Sequence, residues 1–255
     1  MSILNSFALN EEVAVVTGAG KGIGRGIALA LAEAGAKVLV SSRTAADLAE
    51  TVRLIEDAGG RATARPVDIT TLASHDQLAE AAITAFGKVS IWVNNAGGLP
   101  DATPRYLTRT SEDHWDAQMS LNLKATWASC VAAAKAMQSG GSIINISSRA
   151  SFGGHLKNGP YSAAKAAVNS LTQTFALELA PRIRVNAVAP GPIPTQNFKE
   201  SIGMTAENAE ALEQQFRVPL GRFGTPADIG GAVVFLASPA ASWITGQCLY
   251  VTGGY

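Results

Sequence analysis

The apolar run Val13-Ala14-Val15-Val16 leads directly into Thr17-Gly18-Ala19-Gly20-Lys21-Gly22-Ile23-Gly24, and Ile27–Ala32 behind it reads as the buried side of a helix. Four glycines in seven residues between a strand and a helix leave few chain paths open. Strand, glycine-rich turn and helix, in that order, present backbone N–H groups and the positive end of a helix to a phosphate. Glycine lets the chain turn tightly and lets a pyrophosphate approach with no Cβ in its way. The strand and the helix stand where a dinucleotide-binding turn needs them.

The same alternation continues to the end of the chain. Further strands are expected at Lys37–Ser41, Ala62–Val67, Val89–Val93, Ser142–Ile146, Arg184–Ala189 and Cys248–Val251. Helical patterns occupy Gly22–Ala34, Ala45–Ala58, Leu72–Phe86, Asp113–Met137, Ser162–Leu179 and Pro226–Leu236. Thr44 with Asp47 has the form of a capping box opening the second helix. Apolar strands alternating with helices imply a parallel sheet covered on both faces, an α/β fold. No repeat, low-complexity tract or linker divides residues 1–255, so one domain is expected. The segment from Pro190 to Arg222 breaks the regularity, with a short helix near Thr205–Phe216. It follows the carboxyl end of a strand, where ligands bind in such sheets, and reads as a substrate lid at about residues 192–220.

Composition excludes several classes. Lys+Arg and Asp+Glu number 20 each, so the formal net charge is zero, which argues against a nucleic acid or an anionic membrane surface as partner. Residues 1–10 carry no basic residue ahead of an apolar stretch, so no secretory signal is read, and no run approaches the ~20 apolar residues of a membrane span. Cys130 and Cys248 have neither paired spacing nor a matching histidine cluster, which leaves no metal site, casts both as core fillers, and makes a reducing cytoplasm the default location.

Tyr161 and Lys165 stand four residues apart at the start of a helical pattern, so both side chains share one face. A phenol titrates near ~10. An ammonium held beside it favours phenolate and draws the group toward the working range, which makes the pair a candidate proton-transfer device.

Together these residues resemble the short-chain dehydrogenase/reductase family in its single-domain form. The resemblance rests on Thr17-Gly18-Ala19-Gly20-Lys21-Gly22-Ile23-Gly24, Asn94-Asn95-Ala96-Gly97, Asn122, Ser147-Ser148, Tyr161-x-x-x-Lys165 and Pro190-Gly191, in order along nearly the whole chain. It implies a Rossmann-type, doubly wound parallel sheet of about seven strands and hydride transfer to or from a nicotinamide. It also implies Tyr161 as general acid/base, with Lys165 lowering its pKa and holding the nicotinamide ribose. Family spacing places the serine thirteen residues before the tyrosine, which selects Ser148 to bond the substrate oxygen. Asn122 matches the asparagine that holds a water of the proton relay. Asp68 matches the aspartate at the adenine amino group, while Asn95, Ala96 and Gly97 line the floor beneath the adenosine ribose. Ile193 and Thr195, after Pro190 and Gly191, match positions that fix the nicotinamide carboxamide, a geometry that normally gives transfer of the pro-S hydride.

Cofactor choice turns on the end of the second strand. Dinucleotide folds that select NAD carry an acid about 20 residues past the glycines, on the adenosine ribose. Here Ser42 stands eighteen residues beyond Gly24, followed by Arg43, and the next acid is Asp47. Ser42 and Arg43 can donate to a 2′-phosphate, and Lys21 adds a second cation, so NADP(H) is favoured over NAD(H).

The substrate region, Gly98–Arg105, Arg149–Gly159 and the lid, carries Phe152, Leu156, Phe198, Ile202, Met204 and Phe216, with Arg149 and His155 as polar exceptions. His155 is expected to face solvent. Gly98 departs from the branched residue common after the Asn-Asn-Ala-Gly motif, which suggests added room or flexibility. Pro219–Gln247 resembles both bacterial hydroxysteroid dehydrogenases and 3-oxoacyl-thioester reductases. The expectation is an NADP(H)-dependent enzyme for a medium-sized apolar ketone or secondary alcohol, such as a 3-oxoacyl thioester. Alternatives are an NAD(H)-dependent hydroxysteroid or sugar-alcohol dehydrogenase and a non-catalytic dinucleotide-binding regulator. The family suggests a homotetramer or homodimer.

Overall fold

In the computed structural model, which describes residues 2–255, the expected strands form a single sheet. They are β1 (Val13–Thr17), β2 (Lys37–Ser42), β3 (Arg61–Pro66), β4 (Ile91–Asn94), β5 (Gly141–Ile146), β6 (Ile183–Pro190) and β7 (Cys248–Val251). Their order is β3-β2-β1-β4-β5-β6-β7 and every neighbouring pair is parallel. Winding reverses between β1 and β4, which opens a crevice at their carboxyl ends, the place where open α/β sheets bind ligands.

All five residues of β1 are buried, and strand periodicity divides them between two cores. Val13 and Val15 join Leu39, Trp92, Ile143 and Phe175 on one face; Ala14 and Val16 join Ile27, Leu31, Val40 and Ile229 on the other. The helices are α1 (Gly22–Glu33), α2 (Ala45–Asp57), α3 (Ala73–Phe86), α4 (Glu112–Met119), α5 (Ala125–Ala136), α6 (Gly159–Leu179), α7 (Gln196–Ile202), α8 (Ala209–Phe216) and α9 (Pro226–Ala237), of which α1, α2, α3, α5, α6 and α9 pack on the sheet. Helices α1 and α9 cross through Gly26 and Gly230; a Cβ on Gly230 would fall 2.7 Å from that of Ala30. β3 closes one edge of the sheet with Arg61 and Arg65 exposed, charges that discourage pairing with another chain.

Three local expectations are corrected. The helix expected over Asp113–Met137 is interrupted by a π-helical turn at Ser120–Lys124, between α4 and α5. That turn carries the buried Asn122, whose two side-chain N–H donors reach Gln118 Oε1 and the Gly98 carbonyl, both at 2.9 Å. Thr44 and Asp47 make no capping box, since Asp47 turns to Lys21; the box that does form joins Thr225 and Asp228 at the start of α9. The short helix near Thr205–Phe216 spans only Ala209–Phe216, and α7 precedes it, opened by Thr195 accepting from the Phe198 N–H at 3.4 Å.

Candidate active site

The glycine turn is locked from beneath. Gly18 and Gly22 have φ of 66° and 53°, a left-handed backbone that glycine adopts without strain. A Cβ on Gly18 would stand 2.8 Å from Ala96 Cα, and one on Gly22 would stand 3.0 Å from Thr195 Cγ2. The turn therefore lies against the loop after β4 on one side and the start of α7 on the other. Gly20 abuts Ser42, and Gly24 packs against the Gly18 carbonyl and Asn95 Nδ2. Lys21 is the residue before α1, and Ile23 lies in its first turn.

Two residues outside the sequence reading build this platform. Arg25 Nη2 donates to the carbonyls of Gly20 and Asp47, and its Nε donates to Thr51 Oγ1 at 3.0 Å. Thr51 Oγ1 donates to the Ala19 carbonyl at 2.9 Å. With its carbonyls drawn inward, the turn leaves amide hydrogens for an anion, and a Cβ would fill the space the glycines keep open. Sequence pattern offered no signal, because Arg25 and Thr51 look like ordinary polar helix positions.

The crevice floor is hydrogen-bonded to the same turn. Thr17 Oγ1 accepts from the N–H groups of Asn95 (3.1 Å) and Ala96 (3.0 Å), and Asn95 Nδ2 donates to the carbonyls of Thr17 and Gly18. Asp68, exposed after β3, accepts from Thr70 N–H and Oγ1 at 2.9 and 2.8 Å on one oxygen, which leaves the other open. Those bonds, aided by the Arg43 charge, hold its carboxyl below the usual range. Arg43 is exposed and Ser42 half-buried at the end of β2. Pro190 ends β6, and the Gly191 N–H donates to the Val251 carbonyl at 3.0 Å. Ile193 is buried and its carbonyl accepts from the Thr195 N–H at 2.7 Å.

Asn122, Ser148, Tyr161 and Lys165 come from the π-helical turn, the end of β5 and the first turns of α6. Gly97 joins two of them; a Cβ there would lie 2.8 Å from Asn122 Oδ1 and 3.3 Å from Lys165 Nζ. Lys165 is buried, donates to the Ile146 carbonyl at 2.8 Å and stands 5.8 Å from the centre of the Tyr161 ring. Burial pulls its ammonium down to about 8. Burial also pushes the Tyr161 phenol above its ordinary value, opposed by a hydrogen bond with Ser148. Desolvation outweighs the opposing pull of Ser148 on the phenol. Ser148 Oγ accepts from the Ala150 N–H at 3.1 Å and is half-buried, whereas Ser147 is buried with its hydroxyl on the Lys165 carbonyl at 3.3 Å.

Asn122 pairs with both backbone groups of Gly98, accepting from N–H at 2.8 Å and donating to C=O at 2.9 Å, and also donates to Gln118 Oε1 at 2.9 Å. Its side chain is fully engaged in holding the loop after β4. Gly98, at φ 130°, is thereby clamped rather than loose. His155 is half-buried and keeps part of its surface in solvent, and burial with the nearby Arg149 charge pulls its pKa down. Phe198, Phe216 and Phe223 pack edge-on or tilted at 5.2–5.8 Å between ring centres, tying α7, α8 and the start of α9 into one apolar cap, with Tyr255 5.4 Å from Phe216. A cavity of about 90 Å³ beside Ile193, Leu220 and Arg222 touches none of the four clustered residues and is not the reaction site. Among the described residues no group of three or more metal-ligating side chains gathers. Cys130 is buried with its thiol pushed up to about 12, chemically silent; Cys248 is only partly buried.

Residues 18–255 match the profile of a family described as enoyl-(acyl carrier protein) reductase. The chain is 42% identical over 254 residues to a 3-oxoacyl-[acyl-carrier-protein] reductase of Synechocystis, covering 97% of this chain and 98% of the relative. A 7α-hydroxysteroid dehydrogenase solved with NADH and 7-oxo-glycochenodeoxycholic acid is 37% identical, superposes with a TM-score of 0.91 and covers 100% of this chain and 98% of its own. A protein from Beutenbergia cavernae, described as an NAD(P)-dependent gluconate 5-dehydrogenase and holding NADP at low occupancy, is 39% identical with a TM-score of 0.88, covering 98% of each chain.

Proposed function

The chain belongs to the short-chain dehydrogenase/reductase family, and on that premise we propose that it is an NADP(H)-dependent oxidoreductase that reduces a ketone or oxidises a secondary alcohol. The favoured substrate is medium-sized and apolar, such as a 3-oxoacyl thioester. The observation that carries the reading is the meeting of Ser148, Tyr161 and Lys165, with Lys165 beside Gly97, in the same crevice as the glycine turn that Asn95 ties to the loop after β4. The nicotinamide, when bound, supplies or accepts the hydride.

The remaining chemistry falls to side chains of this chain. The N–H groups of the Gly18–Gly24 turn would bind the pyrophosphate. Ser42, Arg43 and Lys21 would take the 2′-phosphate, and Asp68 the adenine. In reduction, Ser148 hydrogen-bonds the substrate oxygen while Tyr161 donates its proton to that oxygen as negative charge develops. A phenol raised by burial is held protonated at neutral pH, ready to act as the acid. Lys165, anchored on the Ile146 carbonyl, keeps a positive charge near the phenol and the ribose hydroxyls, so that in oxidation the phenolate is stabilised. Asn122 holds the loop of Gly97 and Gly98 in register with Lys165. The segment at 192–220, capped by its phenylalanine cluster, would close over the substrate and exclude water.

The relatives leave a second reading open: a hydroxysteroid or sugar-alcohol dehydrogenase using NAD(H), favoured by the solved hydroxysteroid dehydrogenase that holds NADH. Initial rates of NADPH and NADH oxidation with an acetoacetyl thioester and a ketosteroid separate the two. Turnover of the thioester with NADPH preferred supports the proposal; turnover of the steroid with NADH preferred replaces it. A Tyr161→Phe enzyme that binds NADPH yet loses turnover by about 10²-fold or more supports the catalytic role, and unchanged turnover removes it. Exposed Trp243, Leu177 and Leu249 offer apolar surface for a homodimer or homotetramer. No helix among the described residues is long and apolar enough to cross a membrane, and a cytoplasmic location is part of the same proposal.

A further inference from the structure

The adenosine-ribose corner contains an acid after all, delivered from an unexpected direction. In dinucleotide folds the selecting carboxylate comes from the strand end about 20 residues past the glycines. That position is Ser42 here. Asp47 enters instead from the first turn of α2, and a Cβ on Gly20 would lie 3.0 Å from Asp47 Cβ and 2.9 Å from Ser42 Oγ. Gly20, Ser42 and Asp47 therefore share one small volume.

Asp47 Oδ2 stands 3.2 Å from Lys21 Nζ. The two ends of that pair are not equally mobile. The Asp47 side chain is 24% exposed and the Lys21 side chain 70%. The Asp47 backbone is pinned as well, in the first turn of α2 with its carbonyl accepting from Arg25 Nη2 at 3.2 Å. The carboxylate is a fixed feature of the corner, and the ammonium is the partner that swings. Arg43, the other cation, has its own nearby acid in Asp68.

We propose that Asp47 sets the balance between the two dinucleotides, competing with a ribose 2′-phosphate for Lys21 and repelling it directly. The inference rests on the NADP(H) reading above, in which Lys21 and Arg43 receive that phosphate. A 2′-hydroxyl suffers neither penalty and can donate to the carboxylate. Removing the charge should release Lys21 to the phosphate and sharpen a preference that the native chain keeps moderate. An exposed ion pair alone is a small effect, but a dianion received by Lys21 beside a carboxylate held in the same corner would be disfavoured by about tenfold in affinity.

The test uses adenosine fragments, so it reads binding without turnover. Dissociation constants for 2′,5′-ADP and for ADP are measured calorimetrically on the native chain, Asp47→Asn, Lys21→Met and the double variant. Asp47→Asn should tighten 2′,5′-ADP about tenfold relative to ADP, with less than half of that effect, in free energy, when Lys21 is already Met. Asp47→Ser must reproduce the change, which excludes a peculiarity of the amide. An unchanged ratio, or the same change with and without Lys21, overturns the proposal. A native chain that binds ADP more tightly than 2′,5′-ADP overturns the NADP(H) reading instead, since the Asp47 effect is the difference between variants and is measured either way.

Discussion

Lys165→Met should make the protein more stable at neutral pH while destroying turnover. Burial lowers the Lys165 ammonium from 10.5 to about 8. At about 1.4 kcal/mol per pH unit, holding that charge in the folded state costs about 3 kcal/mol below pH 8. Methionine of similar length removes this cost and fills the same slot. Against the gain stands the Ile146 carbonyl, which loses a donor at 2.8 Å. That loss is worth about 1 kcal/mol, so the net gain is about 2 kcal/mol, or roughly 5 °C in Tm for a chain of this size. The pH dependence gives the sharper check. Because the folded pKa lies below the unfolded one, the native chain carries the full penalty below about pH 8 and sheds it as pH rises toward 10.5. Urea unfolding of both proteins at pH 7 and pH 10.5 should therefore show a variant advantage of about 2 kcal/mol that vanishes or reverses at the higher pH. A Met variant less stable than native at pH 7, or equally advantaged at both, would refute the reasoning. Turnover should fall by about 10²-fold or more, the expectation for losing a group in a proton-transfer pair.

His75 is buried on α3, and burial lowers its pKa against the opposing pull of the Ile69 backbone and the Asp76 charge. The native chain should lose stability as pH falls below ~6.5, where the unfolded chain takes up the proton first, and His75→Leu should flatten that slope in thermal melts at pH 5 to 8. Asn122→Ala removes the clamp on Gly98 and should cost about 2–3 kcal/mol in urea unfolding; a loss below about 1 kcal/mol would mean that water replaces the clamp. Arg25→Met frees the carbonyls of Gly20 and Asp47, so NADPH and NADH should both bind about tenfold more weakly in fluorescence titrations, and a change confined to one dinucleotide would contradict a purely supporting role.

Most of the architecture was legible because it follows from local chemistry. The apolar run Val13 to Val16, the helical stripe behind Gly24 and the carboxyl-end position of Pro190 are properties of neighbouring residues, and they emerge as β1, α1 and the end of β6. The family motif likewise placed Asn122, Ser148, Tyr161 and Lys165 on the elements that bring them together, because spacing along known elements sets which face a side chain takes. Thr195 and Phe198 were also local signals for α7, a cap followed by a helical turn, though the surrounding prolines and glycines masked them.

What the sequence determined by itself was the order of strands and helices, the glycine turn and the chemical character of the reacting side chains. Tertiary structure alone decided how those groups behave. It turned Asp47 away from Thr44 and onto Lys21, a pair 26 residues apart. It placed Arg25 and Thr51 under the carbonyls of the glycine turn, and it clamped Gly98 to Asn122 through a π-helical turn. It also set the direction of the Tyr161 and Lys165 pKa shifts, since both follow from burial. Periodicity and spacing report which neighbours share a face, whereas desolvation and through-space pairing depend on what lies across the fold, which no local window contains.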